Sequence, residues 1–146
     1  MVAYSTKIAA NRVIEVVISG SDLDLTAANQ TAQNISATLP AGMLPTSVLI
    51  TKGSTASTSS QTLTNLNLAI GSTAAGTDIL TAKDVKGASA NIFSATAATA
   101  FLSATDDKRI YISFTPTGSG SNFDTITFGS DVTVRINCVR VTGDNL

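Results

Sequence analysis

Few side chains in this sequence can do chemistry, and their spacing narrows the choice further. Asp22-Leu23-Asp24, with Asn29 close behind, offers hard oxygen ligands of the kind Ca²⁺ takes. The run lacks the Asp-x-Asp-x-Asp-Gly order and the distal Glu of an EF-hand loop, so its other reading is a pair of solvated loop aspartates. Asp106-Asp107 offers either a second cation or acid pair, or Asx-turn formers at a reversal. Gly118-Ser119-Gly120-Ser121 resembles a fragment of a nucleophile elbow without the strand-to-helix context that would expose a Ser. Gly71 to Gly76 has the glycines of a phosphate-cradling loop, but no Gly-Lys-Ser/Thr follows. The lone Cys138 reads as a small buried hydrophobe within a strand. With no His anywhere, a His base, a His-ligated metal and a Cys–His nucleophile are excluded. The expectation is a protein that is not an enzyme and uses no cofactor and no metal.

Composition points the same way. The 146 residues suit one domain, and 13% charged residues is about half the share of an average soluble domain. The 17 Ser and 22 Thr supply the missing polarity. A net charge of −1 gives no long-range attraction to nucleic acid or anionic membrane, so neither is expected as a partner. One Cys makes no internal disulfide. The N-terminus lacks a basic region followed by an apolar stretch, so no signal peptide is expected, and no window approaches the roughly 18 apolar residues of a membrane-spanning helix.

Period-two alternation sets the fold class. Ile14, Val16 and Ile18 share one parity, with Val13, Glu15 and Val17 on the other, which reads as a strand buried on one side and partly covered on the second. Alternation recurs at Ile35–Leu39, Val48–Ile50, Leu66–Ile70, Ile110–Phe114, Ile126–Phe128 and Val132–Cys138. After Cys138 the apolar parity flips to Val139 and Val141, the mark of a bulge or a two-sided terminal strand. Residues 79–102 alternate poorly; they allow a helical turn around Ala82–Lys86 or short strands, and one or two strands are expected. Seven segments separated by turn residues, with no helices between, predict an all-β, antiparallel β-sandwich of about eight strands, jelly-roll-like in order. Residues 1–11 read as an N-terminal arm and 12–146 as the sandwich domain.

Four residues stand out as contact candidates. Tyr4 lies in the arm, a frayed tail or a segment crossing to a neighbouring subunit. Met43 and Leu44 are apolar at a turn tip. Arg140, near the end of the last strand, reads as a solvated arginine or as a partner for an acid on a neighbouring copy, and Arg135 on the outer sheet face offers the same two readings.

The run Thr38–Gly53 (TLPAGMLPTSVLITKG), with Leu66–Gly71 (LNLAIG), Thr77–Val85 (TDILTAKDV), Lys108–Thr115 (KRIYISFT) and Asp131–Ile136 (DVTVRI), resembles the small β-sandwich decoration, or cement, proteins of tailed-bacteriophage capsids. The resemblance spans about two-thirds of the chain. It implies a structural virion protein on the outer capsid surface that clamps neighbouring major capsid protein subunits and forms a homo-oligomer, often a trimer. The competing readings are a tail, head-fibre or receptor-binding module, and a non-viral carbohydrate-binding or adhesive sandwich. Sugar binding favours aromatic platforms, and only Tyr4, Tyr111 and Phe123 are available for one.

Overall fold

The computed structural model describes residues 11–59, 62–96 and 105–140. Every segment with clear alternation is a strand: β1 (Asn11–Ile18), β2 (Gln33–Leu39), β3 (Met43–Lys52), β5 (Asn65–Gly71), β8 (Lys108–Thr117), β9 (Ile126–Thr127) and β10 (Val132–Arg140). Three more are β4 (Ser57–Thr58), β6 (Leu80–Asp84) and β7 (Ser89–Ser94). Helix among the described residues is confined to two 3-10 turns, Gly20–Asp22 and Phe123–Thr125. Among its described residues, 79–96, the poorly alternating region therefore holds two strands, β6 and β7, and no helical turn around Ala82–Lys86.

Eight strands form two antiparallel sheets of four, ordered β1-β10-β3-β7 and β2-β8-β5-β6, while β4 and β9 pair as a small clip. The pairing has a simple logic. β1 pairs with β10, β2 with β8, β3 with β7 and β5 with β6, as in one long hairpin folded back on itself. Two further ladders, β10 with β3 and β8 with β5, wrap that hairpin into two layers. This is jelly-roll order, which agrees with the fold expected from sequence.

The core lies between the sheets. Val48, Ile50, Val134 and Ile136 come from the first sheet; Leu66, Leu68, Ile110, Ile112 and Phe114 come from the second; all are at most 1% exposed. Each such side chain taken from water contributes about 1.5–3 kcal/mol of hydrophobic stabilisation. Phe114 also meets Phe128, with ring centroids 5.5 Å apart in a tilted arrangement.

The structure corrects the reading of Met43. Pro40 to Gly42 make a turn in which Met43 N donates to Pro40 O (3.2 Å) and Gly42 has φ 74°, so β3 begins immediately after it. The Met43 side chain falls on core parity and is 1% exposed, so it belongs to the core and offers no contact surface. The irregularity expected near Cys138 is present, but the extra residue is on the neighbouring strand. Asn137 pairs with Ser47 and Cys138 with Pro45, leaving Thr46 as the bulged residue of β3.

Cys138 itself is 1% exposed and faces the core. Burial pushes its thiol up to about 11, so almost no thiolate exists at neutral pH. A maleimide is expected to label the chain only after denaturation; rapid labelling of the folded protein would contradict the buried position.

Lys52 is the unexpected member of the interior. It follows Val48 and Ile50 on core parity and is 4% exposed. Its Nζ donates to the carbonyl oxygen of Ser54 (2.5 Å) and to that of Phe128, and lies 5.9 Å from the Phe128 ring centroid. Ser130 Oγ accepts from Gly53 N (3.0 Å) and Ser54 N (2.9 Å), so the loop after β3 is fastened to the turn before β10 at both points. Burial lowers the Lys52 pKa below its ordinary 10.5. Between the two values the unfolded chain binds the additional proton, so this group's contribution to stability rises with pH across that window. The melting temperature of the wild type is therefore expected to gain on that of Lys52→Met as pH is raised from neutral towards 10.5. Parallel curves would show an amine that titrates normally.

Candidate interaction surface

Most of the side chains singled out for chemistry are hydrogen-bonded within the fold. Asp22 Oδ2 accepts from Ser19 N (2.7 Å) and Ser19 Oγ (3.1 Å), capping the first 3-10 turn. Asp24 Oδ1 accepts from Thr26 Oγ1 (2.6 Å) and Thr26 N (3.0 Å), and these bonds hold its carboxyl below the usual range. Asn29 Oδ1 accepts from Thr31 N (3.0 Å). The three line one open groove, yet each is directed to its own turn. Among the described residues no three His, Cys, Asp or Glu side chains gather as a metal site would require. Asp107 Oδ1 accepts from Ala41 N (2.9 Å), tying the turn before β3 to the start of β8.

The glycine-rich runs are equally structural. Ser121 is fully buried; its Oγ donates to Gly118 O (3.1 Å) and accepts from Gln30 Nε2 (2.9 Å), so it is no exposed nucleophile. In the 71–76 loop, Ser72 N and Oγ donate to the Asp78 carboxylate (2.8 and 2.6 Å). Ala75 N donates to Asn34 Oδ1 (2.8 Å) and Ser113 Oγ (3.1 Å). That loop therefore lies across the outside of the β2-β8-β5-β6 sheet, where Ser113 is 3% and Ala69 9% exposed.

The outside of the other sheet is open, and the register lays it out in rows. Glu15 of β1 stands beside Arg135 of β10, Leu49 of β3 and Ile92 of β7. On one side of this row lie Val17, Thr133, Thr51 and Ala90; on the other lie Val13, Asn137, Ser47 and Ser94. Beyond the bulge, Val139 pairs with Leu44. All three exposed large hydrophobic residues of the described chain are here: Val13 at 45%, Val17 at 54% and Ile92 at 74%. The second side of β1 is partly covered, as its apolar content suggests, with Val13 and Val17 about half open to solvent.

Among the described residues the face carries one negative and one positive group, and they pair: Arg135 Nε donates to Glu15 Oε2 at 2.5 Å. With both side chains about half exposed, such a pair contributes only about 0–1 kcal/mol. Its importance is that it leaves the face with no net charge. The described strands place no aromatic residue on it either. Polyanions need net positive charge, and sugars favour aromatic platforms. A flat surface of branched aliphatic and hydroxyl side chains instead suits another protein.

Of the contact residues read from sequence, Leu44 lies on this face, half-buried beside Val139. Arg140 is half-buried at the end of β10, opposite Met43, on the core-facing parity rather than on the open face. Tyr4 and residues 1–10 of the expected 1–11 arm lie outside the described residues, while Asn11 begins β1. Sequence reasoning does not single out Val13, Val17 and Ile92 as exposed apolar residues of one face. The signal for the first two is the apolar content of both parities of β1; Ile92 stands in a strand without alternation. No helix among the described residues is long and apolar enough to cross a membrane. No family model matches the chain, and no curated protein or solved structure matches it either.

Proposed function

We propose that this chain is a structural protein of a tailed-bacteriophage particle that binds the outer surface of the capsid and stabilises contacts between major capsid protein subunits. The observation that supports this reading best is the open face of the β1-β10-β3-β7 sheet, uncharged overall and suited to protein contact. Asp22, Asp24, Asn29, Asp107 and Ser121 are engaged in hydrogen bonds within the fold, which favours a role exercised through surface contact. The sequence resemblance to capsid decoration proteins supplies the biological setting. Many identical copies on a lattice turn modest individual interfaces into firm attachment. Low charge limits repulsion between crowded neighbours.

The test is reconstitution. Capsids assembled without the chain are mixed with the purified protein and sedimented. Saturable co-sedimentation together with increased resistance of the capsids to heat is expected. A chain that stays in the supernatant at all concentrations would contradict the proposal.

A further inference from the structure

We infer that one end of the sandwich, where β1 and β8 begin and β10 ends, binds a carboxylate-bearing segment of a partner protein through Arg12, Lys108 and Arg140. This surface is distinct from the open sheet face, and the inference does not depend on the role proposed for that face. Strand order brings the three cations to one place. Arg12 of β1 is level with Cys138 of β10, and Arg140 of β10 is level with Met43 of β3. Arg140 follows Cys138 by two residues, so the two arginines are diagonal neighbours on adjoining strands, about 7–8 Å apart along the backbone. Lys108 of β8 is level with Leu39, which the Pro40 to Gly42 turn joins to Met43. It therefore stands in the opposite sheet at the same end.

All three fall on the core-facing parity, and their register neighbours Leu39, Met43 and Cys138 are each 1% exposed. Further along the same strands that parity holds Ile14, Ile110 and Ile136. At this end it holds three half-buried cations, and the side chain of none has a hydrogen bond or ion pair to another described residue. One long cation at a strand end keeps its head in water and needs no partner. Three from two sheets repel one another, and drawing charge partly out of water has a cost that an anion between them offsets. The acids of this end are Asp78, Asp106 and Asp107, and two already accept hydrogen bonds: Asp107 from Ala41 N (2.9 Å) and Asp78 from Ser72 N (2.8 Å). The opposite end carries Asp22, Asp24, Asp84, Asp124 and Asp131 against Lys83, Lys86 and the buried Lys52. A net charge of −1 thus conceals a separation along the strands, which turns an acidic partner towards Arg12, Lys108 and Arg140. Guanidinium forks match the paired oxygens of a carboxylate, and Lys108 adds a third positive charge. Nucleic acid fits less well, because three cations at one end do not form the extended basic stripe that a phosphate backbone follows.

The experiment is a titration of the full chain into a fluorescein-labelled oligo-glutamate peptide at low ionic strength, followed by anisotropy. Saturable binding that weakens with added salt is expected. The double variant Arg12→Gln, Arg140→Gln is expected to bind at least about tenfold more weakly with an unchanged melting temperature, because both substitutions keep a polar stem and remove the charged fork. Arg109→Gln removes the same charge at the same end, but from the outward parity of β8 opposite Thr38, and is expected to bind as the wild type does. Should the double variant be destabilised, Arg12→Lys, Arg140→Lys keeps both charges and is expected to fall between it and the wild type. Absence of binding by the wild type would overturn the inference. So would an equal loss in Arg109→Gln, which would show diffuse attraction in place of a site. A single-stranded oligonucleotide of matched charge, bound more tightly than the peptide, would assign the cations to phosphate and overturn the choice of partner. Binding that appeared only in Asp144→Asn would show the chain's own carboxylate occupying the site, and the inference would fail.

Discussion

Phe114→Ala is expected to lower the unfolding free energy by about 3–5 kcal/mol. Phe114 is fully buried on β8, an inner strand flanked by β2 and β5. Its register neighbours are Gln33 and Leu68, and its ring packs against Phe128, which reaches it from the turn before β10. Truncation removes the transfer free energy of the ring and leaves a cavity that two hydrogen-bonded layers cannot close by collapsing. Domains of this size hold about 5–15 kcal/mol in total, so a large share of the stability is at stake. Urea unfolding should show a lower midpoint with an unchanged slope. Ile92→Ala, at a 74% exposed position, should change stability by no more than about 0.5 kcal/mol. Equal effects at the two sites would contradict the assignment of inner and outer faces.

Gly118→Ala is expected to cost on the order of 3 kcal/mol, through backbone rather than core. Gly118 has φ +130°, which L side chains rarely adopt, and a Cβ there would stand 1.9 Å from Thr62 O and 2.8 Å from Thr64 N. Relief requires the end of β8 to move away from 62–64. That movement would break Thr64 N to Thr117 O (2.8 Å) and the bonds that Gly118 O accepts from Gln30 Nε2 (2.8 Å) and Ser121 Oγ (3.1 Å). Gly87 is the natural comparison, since a Cβ there meets nothing within 4 Å. Gly87→Ala should be neutral or stabilising by up to about 1 kcal/mol, because it restricts the unfolded chain. A thermal melt of the two variants checks the contrast; similar melting temperatures would contradict the close approach at Gly118.

Most of the sandwich is legible in the sequence because burial on one face imposes alternation. β2, β5, β8 and β10 each show it, and each is where the pattern places it. β6 and β7 are hard to read for a physical reason: they bury little, β6 only Leu80. β7 buries none of its residues fully, so its ladder with β3 rather than a hydrophobic face holds it, and no apolar period is written into Ser89–Ser94. Met43 misleads because a glycine with positive φ returns the chain to the sheet one residue earlier than a turn tip suggests. Lys52 is visible by parity after Val48 and Ile50, but its acceptors, the Ser54 and Phe128 carbonyls, come from loops that only the tertiary fold brings together.

The candidate surface divides in the same way. Val13, Glu15 and Val17, and Thr133, Arg135 and Asn137, are readable as sharing outward parities. That they form one open face depends on strand order, which joins β1 to β10 across the whole chain. That the other sheet is closed depends on where the 71–76 loop comes to rest. Neither follows from local pattern.

The copy number of this chain in purified particles from its source, measured by quantitative mass spectrometry against the major shell protein, tests the central claim most directly. A number on the scale of the shell protein itself is the result expected for a protein that stabilises the capsid lattice. A handful of copies would move it to the tail or a vertex and contradict the proposed role, and absence from every particle would remove the virion reading altogether.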